Sequence, residues 1–215
     1  MWDRDSAMPI ARATMRRVRC NGEMLAERLT ALGWHPLFGA SVSQRQAQPL
    51  PAQAEAEALT GAPLPLAILV FWEEVGGLDF IWDYNRPEPC PDLFGGLSIV
   101  ELDPLCVAPP RLPDDVEMWK GWMTEGLNEQ LGGFRLDLAP DDFHKANISG
   151  GSPYGLVLPD QSIDPLLVAD HFSMRLTSYL RLAFRWGGFP GLANVPRSEA
   201  IDSRVAMLTE GLLPF

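Results

Sequence analysis

Two apolar segments, each running into a double glycine, constrain this chain more than any other feature. The first, residues 66–77, reads Leu66-Ala-Ile-Leu-Val-Phe-Trp-Glu-Glu-Val-Gly-Gly, and the second, residues 179–191, reads Tyr179-Leu-Arg-Leu-Ala-Phe-Arg-Trp-Gly-Gly-Phe-Pro-Gly. In the first, Ile68, Phe71, Trp72 and Val75 recur at i, i+3, i+4 and i+7, which predicts a helix over 66–75 buried on most sides and ended by Gly76 or Gly77. A strand over 66–71 competes with that reading. Glu73-Glu74 before Gly-Gly is a helix-ending pattern, however, and the alternating Leu78-Asp-Phe-Ile-Trp82 supplies the strand that would follow. The second segment closes a helix predicted over about 169–185, with Phe172, Leu176, Tyr179, Leu180 and Ala183 on its apolar face and a stop at Gly187-Gly188.

Between these segments the pattern alternates between helix and strand. Met15, Val18, Leu25, Leu29 and Leu32 mark one face of a basic helix ending at Gly33, and residues 52–59 are rich enough in alanine and glutamate for a short helix. Strands are predicted at 97–102, irregularly at 105–108, at 134–138 and at 155–158, with a short turn or helix at 141–145 and a final helix around 198–210. Asp114 or Asp115 can cap a helix over about 114–131, with Trp119, Met123 and Leu127 inward. Residues 85–91 carry three prolines and read as a loop. No internal repeat is visible, and no linker demands a boundary, so the expectation is one domain of 215 residues.

Charge narrows the partners. With 17 Lys+Arg against 28 Asp+Glu, the formal net charge is -11, which disfavours nucleic acid and anionic membrane and favours a basic partner surface. Solubility alone would also account for such an excess. The apolar run at 64–72 is interrupted by Pro65 and is far shorter than the about 20 residues a bilayer span needs. The N-terminus, Met-Trp-Asp-Arg-Asp, lacks the basic-then-apolar order of a secretory signal. Cys20, Cys90 and Cys106 are odd in number and scattered, which argues against a disulfide framework or a zinc site and fits a reducing cytoplasm.

No catalytic constellation, metal set or cofactor loop is expected. His35, His144 and His171 have no metal-ligand spacing between them, even with Asp141, Asp142 or Asp170 nearby. Asp170-His171 reads as a cap at the start of the last long helix. Ser149-Gly-Gly-Ser152 lacks both the lysine of a phosphate loop and the order of a nucleophile elbow. Arg12, Arg16, Arg17 and Arg19 read as a solvated face shared with Glu23 and Glu27. Glu73, Glu74, Asp79 and Asp83 cluster at the first double glycine. Adjacent glutamates on a helix point about 100° apart, which suits paired acid/base work poorly and leaves a partner-facing rim or a plain solvated helix end.

With the helix, Gly-Gly, strand order of 66–82 and the Tyr-Leu-Arg-x-x-Phe-Arg-Trp-Gly-Gly-Phe-Pro-Gly ending in view, the chain resembles the SUKH superfamily over about 64–192. That group contains the yeast Smi/Knr cell-wall regulators and many bacterial immunity proteins. The resemblance implies an α+β domain with helices packed on a mixed, mostly antiparallel sheet. The helices of about 8–62 and 114–131 would then be an N-terminal extension and an insertion. It further implies a cytoplasmic, non-enzymatic protein-binding module without cofactor, most plausibly an immunity protein that masks a basic toxin domain. A regulatory scaffold for a cellular partner is the alternative, and an enzyme of unrecognised type a second one. Trp72, Gly76, Gly77, Trp186, Gly187 and Gly188 would be structural signature positions, and Glu73, Glu74, Asp79 and Asp83 the partner contacts.

Overall fold

The computed structural model describes residues 3–45, 51–109, 117, 120–121 and 134–215. Its helices are α1 (Arg4–Ala31), α2 (Pro51–Thr60), α3 (Leu66–Glu74), α4 (Ile99–Leu102), α5 (Asp142–Lys145), α6 (Leu176–Arg185) and α7 (Glu199–Thr209). Its strands are β1 (Leu78–Asp79), β2 (Cys106–Val107), β3 (Phe134–Ala139), β4 (Tyr154–Leu158), β5 (Leu166–Val168) and β6 (Ser173–Arg175). The fold is α+β. β1 pairs with β2, and β3, β4, β5 and β6 pair in sequence order. Every strand pairing among the described residues is antiparallel, not mixed; only β5 and β6 are joined by a tight turn, while α4 lies between β1 and β2 and α5 between β3 and β4. The Ala108 N–H donates to the Leu138 carbonyl at 2.9 Å and so ties the two sheets together.

The 3-4 spacing on α1 buries Met15, Val18, Leu25 and Leu29, which join α3 in a single apolar cluster. α1 is therefore a wall of the core. α3 is buried on nearly all sides, as its composition dictates, with Ile68, Phe71 and Trp72 inaccessible to solvent.

The two glycine segments meet in the interior. Gly76 has φ +87°, and a β-carbon there would collide with the Gln44 carbonyl; Gly188 has φ +94°, with the Phe80 ring 3.2 Å from where its β-carbon would lie. The Phe80 N–H donates to the Leu105 carbonyl at 2.9 Å, and the Leu105 N–H donates in turn to the Gly188 carbonyl at 2.8 Å. Trp34 packs edge-on against Trp82 and Phe189 and donates its indole N–H to the Phe80 carbonyl at 2.9 Å.

Three expectations about elements change. Residues 99–102 form α4, not a strand, because the Ser98 hydroxyl accepts the Glu101 N–H while the Glu101 carboxylate accepts the Ser98 N–H, a reciprocal capping box. The last long helix begins at Leu176, not near 169. Residues 166–175 make the β5–β6 hairpin, and the Thr177 N–H is met by Asp164 rather than by Asp170. The strand at 78–82 shortens to β1, with single bridges from Val42 to Leu78 and from Pro36 to Trp82. The helix expected at 114–131, with Trp119, Met123 and Leu127, falls outside the described residues except at 117 and 120–121. None of the helices among the described residues is long and apolar enough to cross a membrane.

Candidate functional site

The four acidic residues singled out from the sequence do not form one rim. Arg12, Arg16 and Arg19 recur on one face of α1 and grip the C-terminal end of α3. Arg12 pairs with Glu73 at 2.6 Å, Arg16 reaches both oxygens of Glu74, and Arg19 donates to the Val75 carbonyl at 2.8 Å. A cation at a helix C-terminus also answers its unpaired carbonyls. These arginines are thus struts rather than a solvated face. Glu74 is buried, Glu73 half-buried, and Asp83 accepts the Asn85 N–H at 3.0 Å. Asp79 points inward: one oxygen accepts the Ile81 N–H at 2.8 Å, and burial pushes its carboxyl up to about 6, opposed by that bond and by the charge of Lys145. The signature positions are packing positions. Trp72 is wholly buried, and Trp186 is half-buried at the end of α6.

Lys145 was not anticipated. It has no exposed surface, its Nζ lies 2.5 Å from Asp103 Oδ1, and it sits 4.2 Å from the centre of the Tyr154 ring. A buried ammonium persists only with such a partner. Asp103 stands at φ +45° just after α4, so the pair bolts α5 to the end of α4. Burial, with the Asp103 charge, raises the Tyr154 hydroxyl far above its ordinary range, so the phenol stays neutral. The partner lies 42 residues away in sequence, and no local pattern announces it.

What Lys145 anchors is an exposed turn. Asp141 caps α5 by accepting the His144 N–H at 2.7 Å and holds the His144 ring at 2.9 Å. Asn147 then takes φ +58°, and the Ile148 N–H returns to the Phe143 carbonyl at 3.0 Å. Phe143 and Ile148, 45% and 51% exposed, stand on the two sides of this closure. Gly150 and Gly151 press against the carboxylates of Asp141 and Asp170, which brings the exposed Asp170 beside the buried Asp141 that caps α5. The Ser152 N–H holds the Asp170 carboxyl below its usual range. The signal in the sequence was an N-cap aspartate ahead of Phe143, with an αL-tolerant Asn147 before Ile148.

The remaining candidates for chemistry stay apart. His171 packs edge-on against Tyr154 and Phe172. Among the described residues no three His, Cys, Asp or Glu side chains are placed to hold a metal ion. All three cysteines are free. Burial, with help from Asp92, pushes the Cys90 thiol up to about 11, and burial raises Cys106 further, the opposite of thiol activation. No protein-family model matches this sequence, and neither a curated protein nor a solved structure is significantly similar to it.

Proposed function

We propose that this chain is a non-enzymatic protein-binding module of the SUKH kind, and that it is an immunity protein that masks a basic toxin domain. The observation that carries this reading is the turn at α5. A one-turn helix is held from beneath by a buried ion pair, and it presents Phe143 and Ile148 to solvent, with the half-buried Asp142 preceding Phe143 and the exposed Asp170 at the glycine turn that follows. Apolar anchors on a rigid support lose little freedom on binding, and an acidic flank on a chain of net charge -11 speeds encounter with a basic surface. In this reading Glu73, Glu74 and Asp79 serve the fold, and contact with the partner passes to the α5 turn.

Co-purification from the native host at low and high salt, with mass spectrometry of what remains bound, tests the reading. The expected result is a stoichiometric basic protein, held less tightly at high salt and lost from the Phe143→Ser/Ile148→Ser double variant, whose thermal midpoint is measured alongside to check that it folds. An undiminished complex with the double variant removes the turn from the interface. Recovery of the protein alone at low salt, from cells shown to express the neighbouring genes, overturns the immunity reading.

A further inference from the structure

Asp79 takes no part in the contact proposed for the α5 turn, yet its charge meets that turn from inside the fold. It is only 7% exposed; one oxygen accepts the Ile81 N–H at 2.8 Å, and the other has no hydrogen-bond partner among the described residues. A carboxylate buried in this way lacks donors that would replace its water. The cation whose charge reaches it is Lys145, itself wholly buried and already 2.5 Å from Asp103.

The titratable groups around this set come from several elements. Asp103 ends α4, Cys106 on β2 stands opposite Asp79 in register, Tyr84 follows β1, and Tyr154 on β4 and Tyr179 on α6 lie in the field of Asp103. At α5 itself, Asp141 holds the His144 ring at 2.9 Å, and the half-buried Asp142 makes its charge felt at Tyr154. Burial, followed by the charge of Asp79 or Asp103, raises the Cys106 thiol and the three phenols, so these four stay neutral. The buried charges are therefore Asp79, Asp103 and Lys145. With Asp79 protonated they balance; with Asp79 ionised, one ammonium serves two buried carboxylates.

The shortest relief for that imbalance is through α5. It is a single helical turn, it carries Lys145, and the residues after it also meet the set, because the Tyr84 hydroxyl feels both the Asp79 charge and the Asn147 N–H. β1 and β2 are instead paired with each other, and α4 is fixed by its capping box. We propose that Asp79 is a proton-sensing group that controls opening of the α5 turn: the turn stays closed on Lys145 and Asp103 while Asp79 is protonated and opens to water more often once Asp79 is ionised. The sign follows from burial, which pushes the carboxyl up to about 6, so the closed form is favoured fully below the ordinary carboxylate value and that advantage is lost as pH rises through 6. The device belongs to the turn and holds whether or not Phe143 and Ile148 meet a toxin.

Amide hydrogen exchange of the full chain, corrected for the intrinsic effect of pH, tests this at the Lys145 and Ile148 N–H groups, which close the turn on the Asp141 and Phe143 carbonyls. Leu136 and Leu156, paired in β3 and β4, report global unfolding. The turn amides are expected to be less protected than the strand amides, and their protection should fall about tenfold between about pH 5 and 7.5, as a carboxyl returning from about 6 to its ordinary value on opening implies. In Asp79→Asn the fall should vanish. Turn protection that does not change with pH overturns the proposal, as does a fall that persists in Asp79→Asn. Turn amides that exchange only together with Leu136 and Leu156 overturn it too, because Asp79 would then act on the whole fold. Asp103→Asn is the second variant: it frees Lys145 for Asp79 and should move the transition to lower pH, and an unmoved transition also counts against the proposal.

Discussion

Asp79, in β1, has one oxygen on the Ile81 N–H and the other without a hydrogen-bond partner among the described residues. Burial raises its carboxyl from 3.8 to about 6, so the folded chain keeps a proton that the unfolded chain has released. Protonated Asp79 therefore favours the fold fully below about pH 4, and that contribution is lost as pH rises through 6, amounting to about 3 kcal/mol. Asp79→Asn keeps the acceptor for Ile81 and removes the charge. It should raise the midpoint of urea unfolding at pH 7.5 and flatten the change between pH 4.5 and 7.5; a lower midpoint at pH 7.5 would show that Lys145 needs the Asp79 charge. Lys145 behaves oppositely, because removing it strands Asp103. Lys145→Met should cost about 3–5 kcal/mol, with part of it recovered in Lys145→Met/Asp103→Asn, since an unpaired buried charge costs more than a neutral pair. Equal loss in the single and double variants would mean that Lys145 acts by packing alone.

At the scale of elements, the grip of α1 on α3 is built of three guanidinium groups one helical turn apart. Glu74 is only 6% exposed in its side chain while Arg16 is 61% exposed, so losing the arginine leaves the carboxylate less hydrated than it would be unfolded. Arg16→Met should lower the thermal midpoint only modestly, because solvent screens the exposed partner, and Arg16→Met/Glu74→Gln should recover most of the loss. Thermal unfolding of the four species of the cycle checks this, and additive losses would argue against coupling. Elements whose cause is local were legible in the sequence. The apolar periodicity of α1 and α3 predicts their faces, and the double glycines mark where α3 and α6 stop. α4 was missed because Leu97 to Leu102 looks apolar enough for a strand while Ser98 and Glu101 decide the backbone by reciprocal capping. The β5–β6 hairpin was missed because Phe172 happens to fall in phase with Leu176 and Tyr179. The charged contacts were not legible at all, since Arg12 meets Glu73 across 61 residues and Lys145 meets Asp103 across 42, and only the folded chain brings them together.

For the whole molecule, the decisive question is whether α1 is an addition to a smaller domain or part of the core that the described residues share. Met15, Val18, Leu25 and Leu29 are at most 1% exposed and belong to the same apolar cluster as Ile68 of α3, Leu156 of β4, Leu180 of α6 and Leu208 of α7. Burying four such side chains is worth about 6–12 kcal/mol, similar to the roughly 5–15 kcal/mol by which a whole domain is stable. Without α1 the cluster would open to water along α3, and Glu74 would lose its guanidinium partner inside a buried site. A chain starting after residue 31 is therefore expected to lack a cooperative thermal transition, while the full chain unfolds in one step, with tryptophan fluorescence and far-ultraviolet circular dichroism coinciding. If the shortened chain kept a sharp transition, the core would close without α1, and the helix would be an appendage whose arginines only clamp the surface of α3.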